Sequence, residues 1–210
     1  MMRSASRRAM LGMALAGLVA APRAGWALNQ AEVVAPIKAL DDALLAVMLA
    51  GQRTPFRDRF KFLAPVIDRA FDLDGILRIS IGPRWNDIEA GQQTALMNVF
   101  RRFTIASYVA NFDNSPDQRF EIAASLRPIG ADQVVSTTLV PTSGDRIRID
   151  YVMRRETAWR AIDVLLDGTI SRVAVQRSDF RGVLSQAGAP ALVSSLERKV
   201  IDMAGSALES

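Results

Sequence analysis

The 210-residue chain contains no cysteine and no histidine. Without these two side chains, every Ser-His and Cys-His nucleophilic arrangement is excluded. Zinc and transition-metal sites lose their usual ligands, so no metal is expected. Only carboxylate, Lys, Tyr or Ser chemistry remains, which moves the expectation from enzyme toward binding protein. No disulfide can staple the fold, and a chain of this length can build a full core without one. The Gly-Lys loop that cradles nucleotide phosphates is absent.

Charge of one sign is also scarce once the N-terminus is set apart. Arg3, Arg7 and Arg8 precede an apolar stretch from Met10 to Ala21, which Pro22 breaks. Gly25-Trp26-Ala27 puts small residues at the two positions a signal peptidase reads. This layout predicts a signal peptide over residues 1–27, with cleavage after Ala27 and a mature part that works outside the cytoplasm. Ser6 to Leu11 resembles a twin-arginine signal, so both the general and the twin-arginine export routes stay open. The apolar run is shorter than the ~20 residues that span a bilayer, and no later segment reaches that length. The whole chain has 26 Lys+Arg against 22 Asp+Glu. Four arginines and no acid fall in the first 27 residues, so residues 28–210 hold 22 of each sign. A neutral domain lacks the basic footprint that binds phosphate backbones, so no nucleic-acid partner is expected.

Residues 28–210 suit one domain. Val34, Ile37, Leu40, Leu44, Val47 and Met48 recur at helical steps and predict a helix over 31–50, ended by Gly51. Thr54-Pro55 opens a second, with Phe56, Phe60, Leu63 and Ile67 on its apolar face. Pro65 lies inside it and should kink or split it. Asp72 or Asp74 could cap a short helix through Ile81. A long helix follows over 87–111. From Gln118 the period changes to two. Strands are predicted from Phe120 to Leu126, Val134 to Val140, Ile147 to Arg154 and Trp159 to Leu166, joined by short links rich in turn formers. Short links favour antiparallel neighbours. After Gly168 a helix capped by Thr169 or Ser171 is preferred over a strand. Gly188-Ala189-Pro190 breaks it, and a last helix runs to Ala204. The class is α+β: helices packed on one face of a curled four-stranded antiparallel sheet.

Several residues could carry chemistry. Asp72 and Asp74 flank a turn beside Gly75, but the oxygen run of a calcium loop is missing; a turn with a helix cap is the expectation. Asp163 interrupts an apolar strand. Facing a cavity, it could be a general base; paired with Arg148 or Arg154 on the neighbouring strand, it would be structural. The second is expected. The pairs Arg101-Arg102 and Arg154-Arg155 could grip a lipid phosphate, but such pairs are more often solvated. Most aromatic residues lie on inward faces, and their spacing does not distinguish a filled interior from a hollow one.

The stretch from Phe60 to Trp85, FKFLAPVIDRAFDLDGILRISIGPRW, resembles the toluene-tolerance/MlaC family of periplasmic phospholipid-binding subunits. So does the stretch from Tyr151 to Gly188, with Trp-Arg-Ala-Ile-Asp-Val at 159–164, Gly168, Ser171, Gln176-Arg177-Ser178-Asp179-Phe180 and the Gly188 break. The resemblance covers nearly all of the mature chain, with its elements in the order read above. The resemblance implies a fold related to the cystatin-like and NTF2-like group, with a deep apolar cavity between sheet and helices. It implies no catalytic residue, no cofactor and a monomer. It implies a ligand that is a phospholipid, or a hopanoid in one branch of the family. It also implies an inner-membrane ABC transporter complex and an outer-membrane lipoprotein complex as partners. The residues expected to line the cavity are Phe100, Phe103, Tyr108, Phe120, Ile122, Ile149, Tyr151, Ile162 and Val164. The rival expectation is an NTF2-like enzyme on a hydrophobic substrate, with Asp163 as base and Tyr151 assisting.

Overall fold

The structure, a computed structural model, describes residues 23–113 and 117–208, with side chains from Gln30 onward. The signal-peptide reading therefore falls largely outside the described residues. Helix α1 spans Arg23–Ala50, α2 Phe56–Ala70, α3 Leu73–Ile81 and α4 Ala90–Asn111. The strands are β1 Arg119–Ile122, β2 Arg127–Ile129, β3 Asp132–Val140, β4 Ile147–Arg155, β5 Trp159–Leu166 and β6 Ile170–Ser171. The last helix, α5, spans Arg172–Ala204. No helix among the described residues is long and apolar enough to cross a membrane.

The sheet is antiparallel in the order β1-β3-β4-β5-β6, with β2 also pairing β3. It differs from a plain four-stranded meander at both edges. The expected first strand is broken in two. Ile122 pairs with Thr137 and Arg127 with Val134, so five steps along the edge strand match three along β3. Two surplus residues cannot stay in a ladder, and the strand splits where they sit. At the far edge, the two-residue β6 adds to β5.

Local chemistry explains the helix ends. Asp72 caps α3 by accepting from the Gly75 backbone N–H at 3.0 Å, and Asp74 pairs with Arg78 at 2.8 Å. Ser171 caps α5, accepting from the Ala174 N–H at 2.9 Å. Thr54 does not cap α2, which begins at Phe56 and runs through Pro65 without splitting. Inside α5, Gly188 adopts φ 73° and ψ −173°, conformations open to glycine alone, and the helix breaks there.

All five helices bury their apolar stripes on the same side of the sheet. Ile37, Leu40 and Leu44 of α1, Leu63 and Ile67 of α2, Leu77 of α3 and Leu96 of α4 meet Val135, Tyr151, Met153 and Ala161 in one core. On the opposite face, Val134, Val152 and Ile162 form a small separate cluster.

Candidate functional site

The core is not filled. A cavity of about 250 Å³ lies between the inner face of β4–β5 and helices α3, α4 and α5. It is larger than the ~150 Å³ apolar void that admits benzene, and near the lower end of sites for organic ligands.

Its floor is built from cross-strand pairs. Tyr151 faces Val164 and Ile149 faces Leu166 in the β4–β5 ladder, so four side chains two residues apart on each strand present one surface. The α4 wall repeats at helical steps: Phe100, Phe103, Ser107 and Asn111, with Thr104, Tyr108 and Phe112 beside them. Phe71, Leu73 and Ile76 close one side and Arg172, Val173 and Gln176 of α5 the other. The Thr104 and Ser107 hydroxyls donate to the Phe100 and Phe103 carbonyls of their own helix at 2.9 and 2.7 Å. This satisfies their protons without a ligand.

Aromatic contacts hold the walls. Phe71 lies 5.5 Å from Tyr108 and 6.2 Å from Tyr151, ring centre to ring centre. Phe112 stacks on Tyr108 at 5.9 Å, and Phe180 meets the Phe100 ring edge-on at 6.2 Å. Such pairs fix ring orientation as well as burying area. The Tyr108 and Tyr151 hydroxyls hydrogen-bond to each other, and burial raises the pKa of both above the ordinary tyrosine value. Both phenols therefore stay neutral.

Behind this pair, on α1, sits Asp41. It is 3 % exposed, and neither carboxyl oxygen has a hydrogen-bond partner among the described residues. Burial, reinforced by the charge of Asp42, pushes its pKa up to about 8. Asp41 is thus mainly a neutral acid near pH 7.

Six of the nine residues expected at the cavity line it: Phe100, Phe103, Tyr108, Ile149, Tyr151 and Val164. Three lie elsewhere. Phe120 and Ile122, on the β1 edge, pack against the core beyond the cavity, Phe120 at 6.2 Å from Phe112. Ile162 is on the other side of the sheet. The cause is a β-bulge. Met153 pairs with Ala161 and Val152 with Asp163, leaving Ile162 without a partner of its own. One extra residue reverses the alternation, so Ala161 faces inward and Ile162 outward.

Asp163, which follows the surplus residue, does not have the arginine partner expected for it. It pairs with neither arginine: Arg148 bonds to Asp150 at 2.8 Å and Arg154 to Asp132 at 2.7 Å. Asp163 lines the cavity and ties β5 to the start of α5 instead. Its carboxylate accepts from Ser171 Oγ at 2.6 Å, from the Val164 N–H at 2.8 Å and from the Val173 N–H at 3.1 Å. Arg101 also has a structural partner, a two-pronged bridge to Asp68 at 2.6 and 2.7 Å.

Sequence periodicity missed Arg172, Gln176 and the polar α4 residues Thr104, Ser107 and Asn111. The signal for α4 was present, since 100, 104, 107 and 111 share a helix face, but polar side chains do not register in an apolar pattern. No group of three or more carboxylates able to hold a metal exists among the described residues.

No curated protein matches the chain. A phospholipid-binding protein from Ralstonia solanacearum, solved in complex with a phospholipid, shares the fold with a TM-score of 0.71 at 20% identity, covering 82% of this chain and 99% of that one. The family model described as MlaC protein matches residues 38–198, so the chain belongs to the MlaC family.

Proposed function

We propose that the protein is a periplasmic lipid carrier. On this reading it is exported with cleavage after Ala27, buries the acyl chains of a phospholipid or the body of a hopanoid, and shuttles the lipid between inner-membrane transporter and outer-membrane lipoprotein partners. The observation that carries the reading is the cavity walled by Phe71, Phe100, Phe103, Ile149 and Val164 inside a member of the MlaC family. The phospholipid held by the Ralstonia solanacearum protein of the same fold supports it.

The physics of lipid transfer calls for such a cavity. Each CH₂ sheltered from water contributes about 0.8 kcal/mol, so a ~16-carbon chain needs roughly 12 kcal/mol of shelter while crossing water. A wall of side chains that requires no bond to the ligand supplies that shelter without selecting one chain length. No chemistry on the lipid is part of this reading. The Asp163 carboxylate, the candidate base of the enzymatic alternative, is occupied by three donors, two of which, Ser171 Oγ and the Val173 N–H, fasten the start of α5 to the sheet.

The test is transfer between vesicles. Donor phosphatidylglycerol vesicles carrying a labelled phospholipid are mixed with unlabelled acceptors. The carrier reading expects the protein to speed label movement in proportion to its concentration. Transfer no faster than without protein would count against shuttling.

A further inference from the structure

We infer that Arg172, together with the side-chain amide of Gln176, forms a recognition point at the cavity for an anionic oxygen group on the ligand. This inference rests on the carrier reading and concerns what that cavity selects.

Arg172 is the cation among the cavity-lining residues, and it is exposed at the first position of α5. Among the described residues no carboxylate pairs with it, whereas Arg101, Arg148 and Arg154 each hold an aspartate. Its charge is felt inside the cavity, where it acts on the Tyr108 hydroxyl. Gln176 lies four residues on, one helical turn away on the same face. Its side-chain amide lies 3.3 Å from Ser80 Oγ, whose own proton goes to the Ile76 carbonyl at 2.8 Å, and Gln176 also lines the cavity. Asp163 is the acid lining the cavity, but its oxygens are turned to Ser171, Val164 and Val173. The Arg172 guanidinium therefore faces a ligand here without a carboxylate committed to it among the described residues, with the Gln176 amide beside it. An unpaired guanidinium recognises carboxylate and phosphate oxygens through paired N–H donors. The ligand class is an amphiphile with one anionic group next to its apolar body. A lipid phosphate and a fatty-acid carboxylate share this chemistry.

The experiment uses the delipidated protein loaded with N-phenylnaphthylamine, a neutral dye, and displaces the dye with three ligands sharing one oleoyl chain. These are 1-oleoylglycerol, 1-oleoyl-lysophosphatidic acid and oleate. The expected result is a preference of about tenfold for an anionic ligand over 1-oleoylglycerol, shrinking as salt rises. R172Q should bring that preference close to unity by weakening the anionic ligands far more than 1-oleoylglycerol, while R172K keeps part of it. Loss confined to the phosphate or to the carboxylate ligand names the source. A wild-type protein without the preference, an unchanged preference in R172Q, or an equal loss for all three ligands overturns the assignment. If 1-oleoylglycerol and both anionic lipids fail to displace the dye from wild type, the carrier reading falls and takes the assignment with it.

Discussion

Asp41 is a carboxylic acid in an apolar interior, with neither oxygen bonded among the described residues. Its pKa is raised from 3.8 to about 8, so the folded state holds a proton that the unfolded state releases. Stability is then fullest below pH ~4, falls as pH rises toward about 8, and levels off above that. Asp41→Asn removes the ionisation. We expect it to raise the melting temperature, little at pH 5 and by several degrees at pH 8.5; calorimetry at both pH values checks this, and an equal effect at both would contradict it. A second residue-scale prediction concerns Asp163→Ala. It removes the acceptor for Ser171 and for the Val173 N–H and should cost about 1–3 kcal/mol in urea unfolding. Faster amide exchange at the start of α5 should accompany it, since the contact ties that helix to β5. Neither role was legible in sequence. Asp41 stands beside Asp42 in a helix, where charged neighbours ordinarily mark the solvent face. The partners of Asp163 depend on how strand and helix meet, which spacing along the chain does not encode.

At the scale of elements, the period of apolar residues located α1 through α4 and the main strands, because burial on one face imposes it. Ser171 was legible as a cap for the same local reason: the side-chain oxygen serves an N–H three residues on. The bulge was not legible. Trp159 to Leu166 reads as one regularly alternating strand, and only the pairing with β4 shows that Ile162 is surplus. One residue therefore misassigned the faces of its own neighbourhood while Val164 and Leu166, beyond it, kept theirs. The Gly188 break was legible, and its cause is specific. At φ 73° and ψ −173° any Cβ is strained whatever space surrounds it. Gly188→Ala should cost about 1–3 kcal/mol, measured by chemical denaturation. A neutral outcome would mean that the two halves of α5 can straighten without loss.

For the whole molecule, the α+β class and helices on one sheet face followed from the order of periods along the chain. The hollow did not, because a residue against another side chain and a residue against a void obey the same pattern. The cavity exists where the helices α3, α4 and α5 stand off the Ile149, Tyr151, Val164 and Leu166 surface. Val164→Trp puts a large ring into that space. We expect the variant to fold, as judged by circular dichroism, and to lose lipid that wild type retains. The most direct measurement is native mass spectrometry of wild type and V164W purified from their own envelope, followed by organic extraction. The account predicts a stoichiometric lipid on wild type and its loss from V164W. A wild-type protein of bare polypeptide mass, or equal lipid on both proteins, would contradict a cavity that carries lipid.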